Sequence, residues 1–359
     1  MSRASDHGHG SLGCCQKEGA SAFPATVPRW VCGVKETAAG NVPLVSTWLD
    51  WRDRLDGWKI RWGIARMKSA INPGLYGVGN PEPRSPVLVT ANYKLTFDRL
   101  RRELEGMSAW ILVLDTRGIN VWCAAGKGTF GTEELLARLQ AVALEQVVSH
   151  RRLLIPQLGA VGVAAHEVGR RSAFRVVYGP VRAADIQAFI KSGYRATPAM
   201  RRIDFPLGER LALAPLELVQ AGKWFLWILL VLLLRDVAQG RGVSLHFLIL
   251  GLPFLAAIAA GTVLVPILLP WLPGRSLAWK GWLCGATLTV AGIAALGLTW
   301  SAGLVFLLLL PPISSFLALN FTGSTTYTSL SGVLKETRIA LPLLGIQFLA
   351  GVLLSFVHI

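Results

Sequence analysis

Charged residues are scarce in this 359-residue chain, at 16% against 52% hydrophobic residues. Soluble globular domains carry about 25% charged residues, so an ordinary cytosolic protein is not expected. The shortage lies mainly in one half: residues 224–359 hold six of the 36 lysines and arginines and two of the 21 acidic residues. The chain therefore divides into a basic, water-compatible half and an apolar half suited to lipid.

Cysteine is also rare, and its spacing is irregular. The five cysteines are Cys14, Cys15, Cys32, Cys123 and Cys284. This pattern excludes a disulfide scaffold and lacks the cysteine spacing of an iron–sulfur cluster. Residues 1–30 have no continuous apolar core, so no export signal is expected and the soluble half is predicted to be cytoplasmic.

Five long apolar stretches follow residue 217, each about the length that crosses a hydrocarbon layer of roughly 30 Å. They lie near 218–236, 243–272, 279–300, 302–320 and 339–358. Five spans are the simplest count, and six remain possible. We therefore predict an all-α multi-span membrane domain over 224–359, with 206–223 as a linker or the start of the first span. The membrane half has few ionisable groups, which favours an anchor over a carrier.

The basic half has a different pattern of residues. Residues 1–57 are rich in small residues and show no sustained period, so they are expected to be mobile. From 58 to 205, apolar strand patterns alternate with helical patterns. The strands are 86–90, 110–114, 153–155 and 174–178, and the helices 95–104, 132–149, 165–171 and 182–192. This alternation predicts an open, mostly parallel Rossmann-like α/β sheet, which binds ligands at the carboxyl ends of its strands.

The segment Gly118–Phe130 is the most informative part of this edge. No phosphate-binding glycine motif is present, so a dinucleotide or triphosphate is not favoured. The segment instead places Cys123 at the opening of a short Ala-rich helical turn, where Lys127 and the helix N-terminus favour a thiolate that can attack or bind a metal. A small buried hydrophobic residue is an equally consistent interpretation. The glycines at 118, 126, 128 and 131 indicate backbone lying close to a bulky ligand.

The run Asn-Val-Trp-Cys-Ala-Ala-Gly-Lys at 120–127 resembles the cap-helix signature of the mercury-methylating corrinoid protein family, HgcA. The flanks at 114–119, 128–135 and 149–160 are similar to the corrinoid domain of the corrinoid iron–sulfur protein of the acetyl-CoA pathway. Over about 60–205 both families resemble this chain. The acetyl-CoA pathway subunit also needs a four-cysteine cluster domain and a barrel domain, whereas the mercury family carries a multi-span membrane domain. The mercury family is therefore the better match.

The resemblance implies a cobalamin-like corrinoid with Cys123 as the lower axial ligand of cobalt. Mercuric ion is an electrophile, so the methyl group must leave with electrons, as a formal carbanion or a radical, and a donating thiolate suits that departure. The resemblance also implies a ferredoxin-like iron–sulfur electron donor and a methyl-folate-type methyl donor. No nucleic-acid partner is expected.

Candidate cofactor contacts fall into two groups. The cap-helix group comprises Asn120, Val121, Trp122, Cys123, Ala124, Ala125, Gly126, Lys127, Gly128 and Thr129. The strand-end group, candidates for the pocket of the cofactor's nucleotide tail, comprises Thr90, Leu158, Gly159, Ala160, Gly162, Tyr178, Gly179 and Pro180.

Several interpretations stay open at this stage. Cys14 and Cys15 are two soft thiols that would capture Hg(II), although incidental surface thiols are the favoured interpretation. The basic surface serves either an acidic ferredoxin or anionic lipid headgroups, with the lipid favoured. For function, the leading hypothesis is a membrane-anchored corrinoid methyltransferase acting on Hg(II). The alternatives are a corrinoid-carrying methyl-transfer or transport protein with a non-mercury acceptor, and a scaffold without a cofactor.

Overall fold

A computed structural model describes residues 28–321 and 330–358 of the chain. Cys14 and Cys15 lie outside the described residues. The chain separates into two units, one of Met1–Ile60 with Ala65–Arg202 and one of Arg61–Ile64 with Ile203–Ile359.

The first unit is built on a seven-stranded sheet with the order β1-β2-β3-β5-β4-β6-β7. The strands are β1 Val31–Thr37, β2 Gly40–Val45, β3 Gly74–Val78, β4 Val87–Ala91, β5 Ala109–Leu114, β6 Arg152–Ile155 and β7 Arg175–Tyr178. Strands β5, β4, β6 and β7 pair in parallel, as do β2 and β3, whereas β1–β2 and β3–β5 are antiparallel. The carboxyl ends of β4, β5, β6 and β7 therefore share one edge.

Helices cover both faces of this sheet. They are α1 Trp51–Arg61, α2 Lys94–Glu103, α3 Val121–Lys127, α4 Thr132–Ala141, α5 Leu144–Val147, α6 Ala165–Arg171, α7 Ile186–Lys191 and α8 Pro198–Arg201. Alternate residues of a strand point to opposite faces: Val87 and Val89 of β4 join one buried cluster with Leu135, and Leu88 joins the other with Phe97. Burial on both faces explains why β4 and β5 are continuously apolar.

The four predicted strands all form, but three others were missed. Strands β1 and β2 make a hairpin, so the interpretation of 1–57 as mobile is wrong for its described part. The charged pair Lys35–Glu36 and the exposed turn obscured this short edge hairpin. The predicted helix 132–149 is divided at Ala143, which adopts a left-handed φ of 43°. Thr132, followed by two glutamates, has the pattern of a helix cap, but Gly131 holds that position and the Thr132 hydroxyl accepts from the Ala164 amide.

A buried ion cluster ties α1 and α2 together. The fully buried guanidinium of Arg101 donates to Asp53 at 2.6 Å and to Asp98 at 2.9 Å. Lys94 donates to Asp98 at 2.6 Å and to Asp53 at 3.1 Å. Arg101 also donates to the carbonyl oxygens of Ser46 and Trp48. The cluster therefore fixes both the start of α1 and the strand end before it.

Acidification is expected to weaken this cluster. Burial raises the pKa of Asp53, but the hydrogen bonds and charges of Arg101 and Lys94 outweigh burial and hold that pKa below 3.8. A carboxylate with a depressed folded-state pKa stabilises the fold above its unfolded pKa and loses that contribution as the pH falls below it. The thermal midpoint of the full chain in detergent should fall below about pH 4. The Asp53→Asn variant should show a shallower fall; parallel curves for the two proteins would contradict this assignment.

The second unit is helical. Its elements are α9 Leu207–Leu211, α10 Ala214–Ala238, α11 His246–Ala259, α12 Val265–Leu268, α13 Leu277–Leu296, α14 Trp300–Asn320 and α15 Leu330–His358. Among the described residues, four helical segments are long and apolar enough to cross a membrane: Leu207–Ala238, His246–Leu268, Trp300–Asn320 and Gly332–Phe356. The apolar stretch 279–300 forms most of α13, which is not one of these four. The count of about five spans stays a prediction.

The proline pair in α14 lies at a packed junction. A proline cannot donate to the carbonyl four residues earlier, so Pro311 leaves the Leu307 oxygen without its helical donor. The side chain of Gln347 in α15 donates to that oxygen at 3.1 Å and accepts from the indole of Trp282 at 3.0 Å. Ser314, two residues after the pair, donates to the Gly281 oxygen of α13. The proline pair therefore lies where α14 is held by side-chain contacts with α13 and α15.

Candidate functional site

The segment around Cys123 forms α3, a helix of seven residues. Asn120 is its N-cap: its backbone is extended and its side-chain oxygen accepts from the Cys123 amide at 2.8 Å. Gly128 ends the helix in the left-handed conformation, with φ at 80°, which glycine adopts without steric cost. The sequence therefore positions Cys123 in the first turn through a side-chain cap on one end and a glycine on the other.

The two faces of α3 differ in burial. Val121, Ala124 and Ala125 are buried, and α3 packs with them over the end of β4 and the turn Gln157–Gly159. The other face carries Trp122 and Cys123, which are half-buried, together with exposed Gly126 and Lys127. The thiol therefore belongs to the side of α3 that is turned away from the core.

The glycines near α3 serve two different purposes. At Gly162 a β-carbon would lie 2.0 Å from the Phe130 carbonyl oxygen, and at Gly159 one would lie 2.5 Å from the Phe130 ring. These glycines let the chain itself pack closely under α3. At Gly126 a β-carbon would meet nothing within 4 Å. Because residues three apart share a helix face, Gly126 leaves open space beside Cys123.

Asn92, directly after β4, holds the loop that leads into α3. Its side-chain oxygen accepts from the amides of Thr116 and Gly118 at 3.1 and 2.9 Å, and from the Thr116 hydroxyl at 2.7 Å. Its amide nitrogen donates to Asp115 at 3.1 Å. All of these groups lie at the carboxyl ends of β4 and β5. Asn92 thus fixes the approach to Asn120 and, through it, Cys123.

Charges near Cys123 oppose the effect of its burial. Burial raises the pKa of the Cys123 thiol, whereas the charges of Lys127 and Arg66 and a hydrogen bond with Asn120 lower it, and the net direction is upward. The prediction that the helix terminus and Lys127 favour a thiolate is therefore wrong in its net direction: Lys127 does lower the pKa, but the loss of water around the sulfur raises it by more. Arg66, which lies over the ring of Tyr93, was not predicted.

The strand-end candidates occupy the same edge, and several are engaged by the chain itself. Thr90 is buried in β4. The Tyr178 hydroxyl, at the end of β7, donates to the Val163 oxygen at 2.6 Å. Arg201 joins the two neighbouring ends by donating to the Gly179 and Tyr178 oxygens and to the side chain of Gln157. Leu158, Gly159 and Ala160 form the turn after β6, Gly162 packs under α3, and Gly179 and Pro180 follow β7.

Other candidate groups lie elsewhere. His150 precedes β6, at the opposite edge of the sheet, and its ring contacts the Ser85 oxygen at 2.8 Å. Cys32 lies on edge strand β1, and Cys284 is buried in α13. Within residues 28–321 and 330–358, no three His, Cys, Asp or Glu side chains gather in a way that could hold a metal ion.

Sequence reasoning missed Arg66 and Arg201, and it placed Asn92 at the strand end without assigning it a role. A polar residue after a fully apolar strand faces the ligand edge of such a sheet. Arg66 and Arg201 are distant from Cys123 in sequence, and no local pattern marks them.

Removing the cap of α3 should loosen Cys123. In Asn120→Ala the Cys123 amide loses its acceptor, which costs about 1 kcal/mol and corresponds to about fivefold faster amide exchange. Hydrogen–deuterium exchange of the 121–127 peptide measures this, with Asn120→Ser as the matched variant that keeps a capping oxygen. Equal exchange rates in the two variants would mean that the cap does not hold the helix.

Comparisons with known proteins match this same region. Residues 65–190 match the family model of the CO dehydrogenase/acetyl-CoA synthase delta subunit. The chain is 30% identical over 146 residues to the corrinoid/iron–sulfur protein large subunit of Moorella thermoacetica, covering 40% of this chain and 31% of that protein. It is 35% identical over 97 residues to the acetyl-CoA decarbonylase/synthase complex subunit gamma of Methanocaldococcus jannaschii, covering 26% of this chain and 20% of that subunit. The chain thus spans a fifth to a third of the length of these relatives.

Proposed function

We propose that this chain is a membrane-anchored, corrinoid-dependent methyltransferase that transfers a methyl group to Hg(II) and forms methylmercury. The observation that carries the proposal is the placement of Cys123: a half-buried thiol in the first turn of α3, over the carboxyl edge of the sheet, within a segment similar to the mercury-methylating family. The similarity to the corrinoid/iron–sulfur protein large subunit of Moorella thermoacetica supports the corrinoid part of the proposal. The apolar helices support the anchor.

The residues on the outward side of α3 fit a broad, flat cofactor. Gly126 leaves open space next to Cys123, and Val161, in the loop packed under α3, is an apolar side chain exposed to 75%. A flat macrocycle with apolar faces and polar groups at its periphery would cover such a surface. When bound, the corrinoid would supply a cobalt centre that takes up and gives away a methyl group.

The chain's own residues would have distinct tasks in this site. Cys123 would offer its sulfur to the metal from the protein side, and the Asn120 side chain would hold the first turn so that the sulfur stays in place. Asn92 would keep the loop 115–118 against the sheet. Lys127, exposed one turn after Cys123, would meet the polar periphery of the cofactor. The strand-end candidates Thr90, Leu158–Ala160, Gly162 and Tyr178–Pro180 would border the nucleotide tail.

The proposal also assigns partners and a location. A ferredoxin-like iron–sulfur protein would supply electrons, and a methyl-folate-type donor or its methyltransferase would supply the methyl group. The chain would be a multi-pass protein of the cell (inner) membrane, with the corrinoid-binding unit in the cytoplasm. Capture of Hg(II) by Cys14 and Cys15 is a further proposal, secondary to the interpretation of these two thiols as incidental.

A second candidate function follows from the comparisons. The corrinoid/iron–sulfur relative and the acetyl-CoA decarbonylase/synthase subunits favour a methyl carrier of C1 metabolism with a non-mercury acceptor. This candidate shares the cofactor and Cys123 with the first, and differs only in the methyl acceptor.

The two candidates separate in one anaerobic experiment on the purified full chain. Cobalt content and a corrinoid absorption spectrum test whether the cofactor is bound. A protein with neither cobalt nor this spectrum would support the alternative of a scaffold without a cofactor. The loaded protein is then reduced and offered Hg(II) with both the ferredoxin-type electron donor and the methyl-folate-type methyl donor present, and methylmercury is measured. Methylmercury formed over repeated turnovers supports the methyltransferase, whereas a bound methyl group that never passes to Hg(II) supports the carrier.

A further inference from the structure

Helix α1 presents an aromatic and aliphatic stripe on its outer side. Trp51, Leu55 and Trp58 are exposed to 67%, 43% and 62%. At 100° per residue these three side chains lie within a sector of about 60° on a helix. Trp48, three residues before the helix, is exposed to 69%. Large exposed apolar side chains gathered in one patch mark an interaction surface.

Basic side chains flank this stripe on both sides. Arg52 and Lys59 lie on one side, Arg54 and Arg61 on the other, and all four are exposed. The guanidinium of Arg52 also lies 5.2 Å from the centre of the Trp51 ring. The outer half of α1 therefore combines tryptophan with cations, as helices that lie in a membrane interface do.

The acidic residues of α1 are turned away from this surface. Asp53 is bound by Arg101 and Lys94 in the buried ion cluster, and Asp56 pairs with Arg29 at 3.5 Å. Ile60 on the inner side is buried. The positive charge of the outer side is thus not cancelled by the carboxylates of the same helix.

We infer that the outer side of α1 lies in the interface of a bilayer that contains anionic lipids, with Trp51, Leu55 and Trp58 among the headgroups and upper acyl chains. Tryptophan is enriched at this depth of a membrane because its ring is amphipathic. Lysine and arginine beside an anionic leaflet each add attraction that decays within a Debye length. The same chain carries four helices long enough to span a bilayer, and a tether to a membrane reduces the affinity that a second contact needs.

The contact is tested on the full chain in nanodiscs. Discs of phosphatidylcholine mixed with phosphatidylglycerol carry a trace of phosphatidylglycerol with a photoreactive group, and mass spectrometry locates the lipid adducts. Adducts are expected on 48–61, well above those on the hairpin 31–45. The triple variant Trp51→Ser, Leu55→Ser, Trp58→Ser should lower them at least about fivefold. Val34→Ser, at a strand position exposed to 46%, is the matched control and should change nothing.

A second variant tests the charge. Arg52→Gln, Arg54→Gln, Lys59→Gln and Arg61→Gln together should reduce adducts in the mixed discs. They should also remove the difference between mixed discs and discs of phosphatidylcholine that carry the same trace of photoreactive lipid. All seven substituted side chains are exposed, so a folded variant is expected; if one fails to fold, the other still decides. Adducts no higher on 48–61 than on 31–45, or insensitive to both variants, would overturn the inference. So would cross-links from Lys59 to a second copy or a protein partner in place of lipid.

Discussion

Replacing Cys123 by alanine is expected to lower methyl transfer to Hg(II) at least about hundredfold, since even partners behind a metal ligand contribute 10- to 100-fold. The variant should keep its fold, because alanine retains the β-carbon and is the best helix former. Only the sulfur is lost from the outward side of α3. Anaerobic methylmercury formation by the full chain measures the effect, together with the absorption spectrum of the bound corrinoid, which changes when a sulfur ligand leaves cobalt.

Cys32→Ala is the matched control for this result. It removes a thiol from the same unit, on edge strand β1, and should leave both the activity and the spectrum unchanged. Activity of Cys123→Ala within about threefold of Cys32→Ala would contradict the role of Cys123 as the axial ligand. A loss of activity with an unchanged spectrum would assign Cys123 a role other than binding cobalt.

Replacing Arg101 by methionine is expected to destabilise the first unit by about 3–5 kcal/mol, the usual result of removing one partner of a buried ion cluster. The methionine side chain occupies similar space but leaves Asp98 and Asp53 with Lys94 as the remaining cation of the cluster. The Ser46 and Trp48 oxygens lose their donor as well. Pulse proteolysis of the full chain in detergent over a urea series gives the free energy of unfolding.

Arg102 provides the comparison for Arg101. It is the next residue along α2, its side chain is 53% exposed, and it pairs with Glu103 at 2.6 Å. Exposed pairs contribute about 0–1 kcal/mol, so Arg102→Met should have little effect. If both variants unfold at the same urea concentration, the buried cluster contributes no more than a surface pair.

The central strands and the cap helix were predictable because their signals are local. Strands β4 and β5 are five and six consecutive buried residues, and only a strand covered on both faces tolerates such a run. The Asn120 cap and the Gly128 end mark α3 in the sequence. The parallel pairing of β4 and β5 is then enough to predict that Thr90, Asn92 and Cys123 lie at one edge of the sheet.

The remaining features depend on contacts that a linear pattern does not contain. Lys94, Asp98 and Arg101 are spaced as neighbours on one helix, but Asp53 joins them from 41 residues before Lys94. The break at Ala143 has no glycine or proline to signal it. The raised pKa of Cys123 comes from its burial, and burial is decided by the packing of α3 against the turn 157–159 and the loop that follows.

The short length of α3 determines the order in which this unit loses its structure. Helices below about 12 residues are marginal without tertiary contacts, and α3 has seven residues. Its detachment would uncover Val121, Ala124 and Ala125 and the few side chains beneath them, whereas opening the sheet uncovers every residue of β4 and β5. Small openings of this kind need less free energy than global unfolding. On mild heating or ageing, helix α3 should therefore separate from the sheet while far-ultraviolet circular dichroism still reports an intact sheet. A normal circular dichroism spectrum then does not show whether Cys123 is still in position.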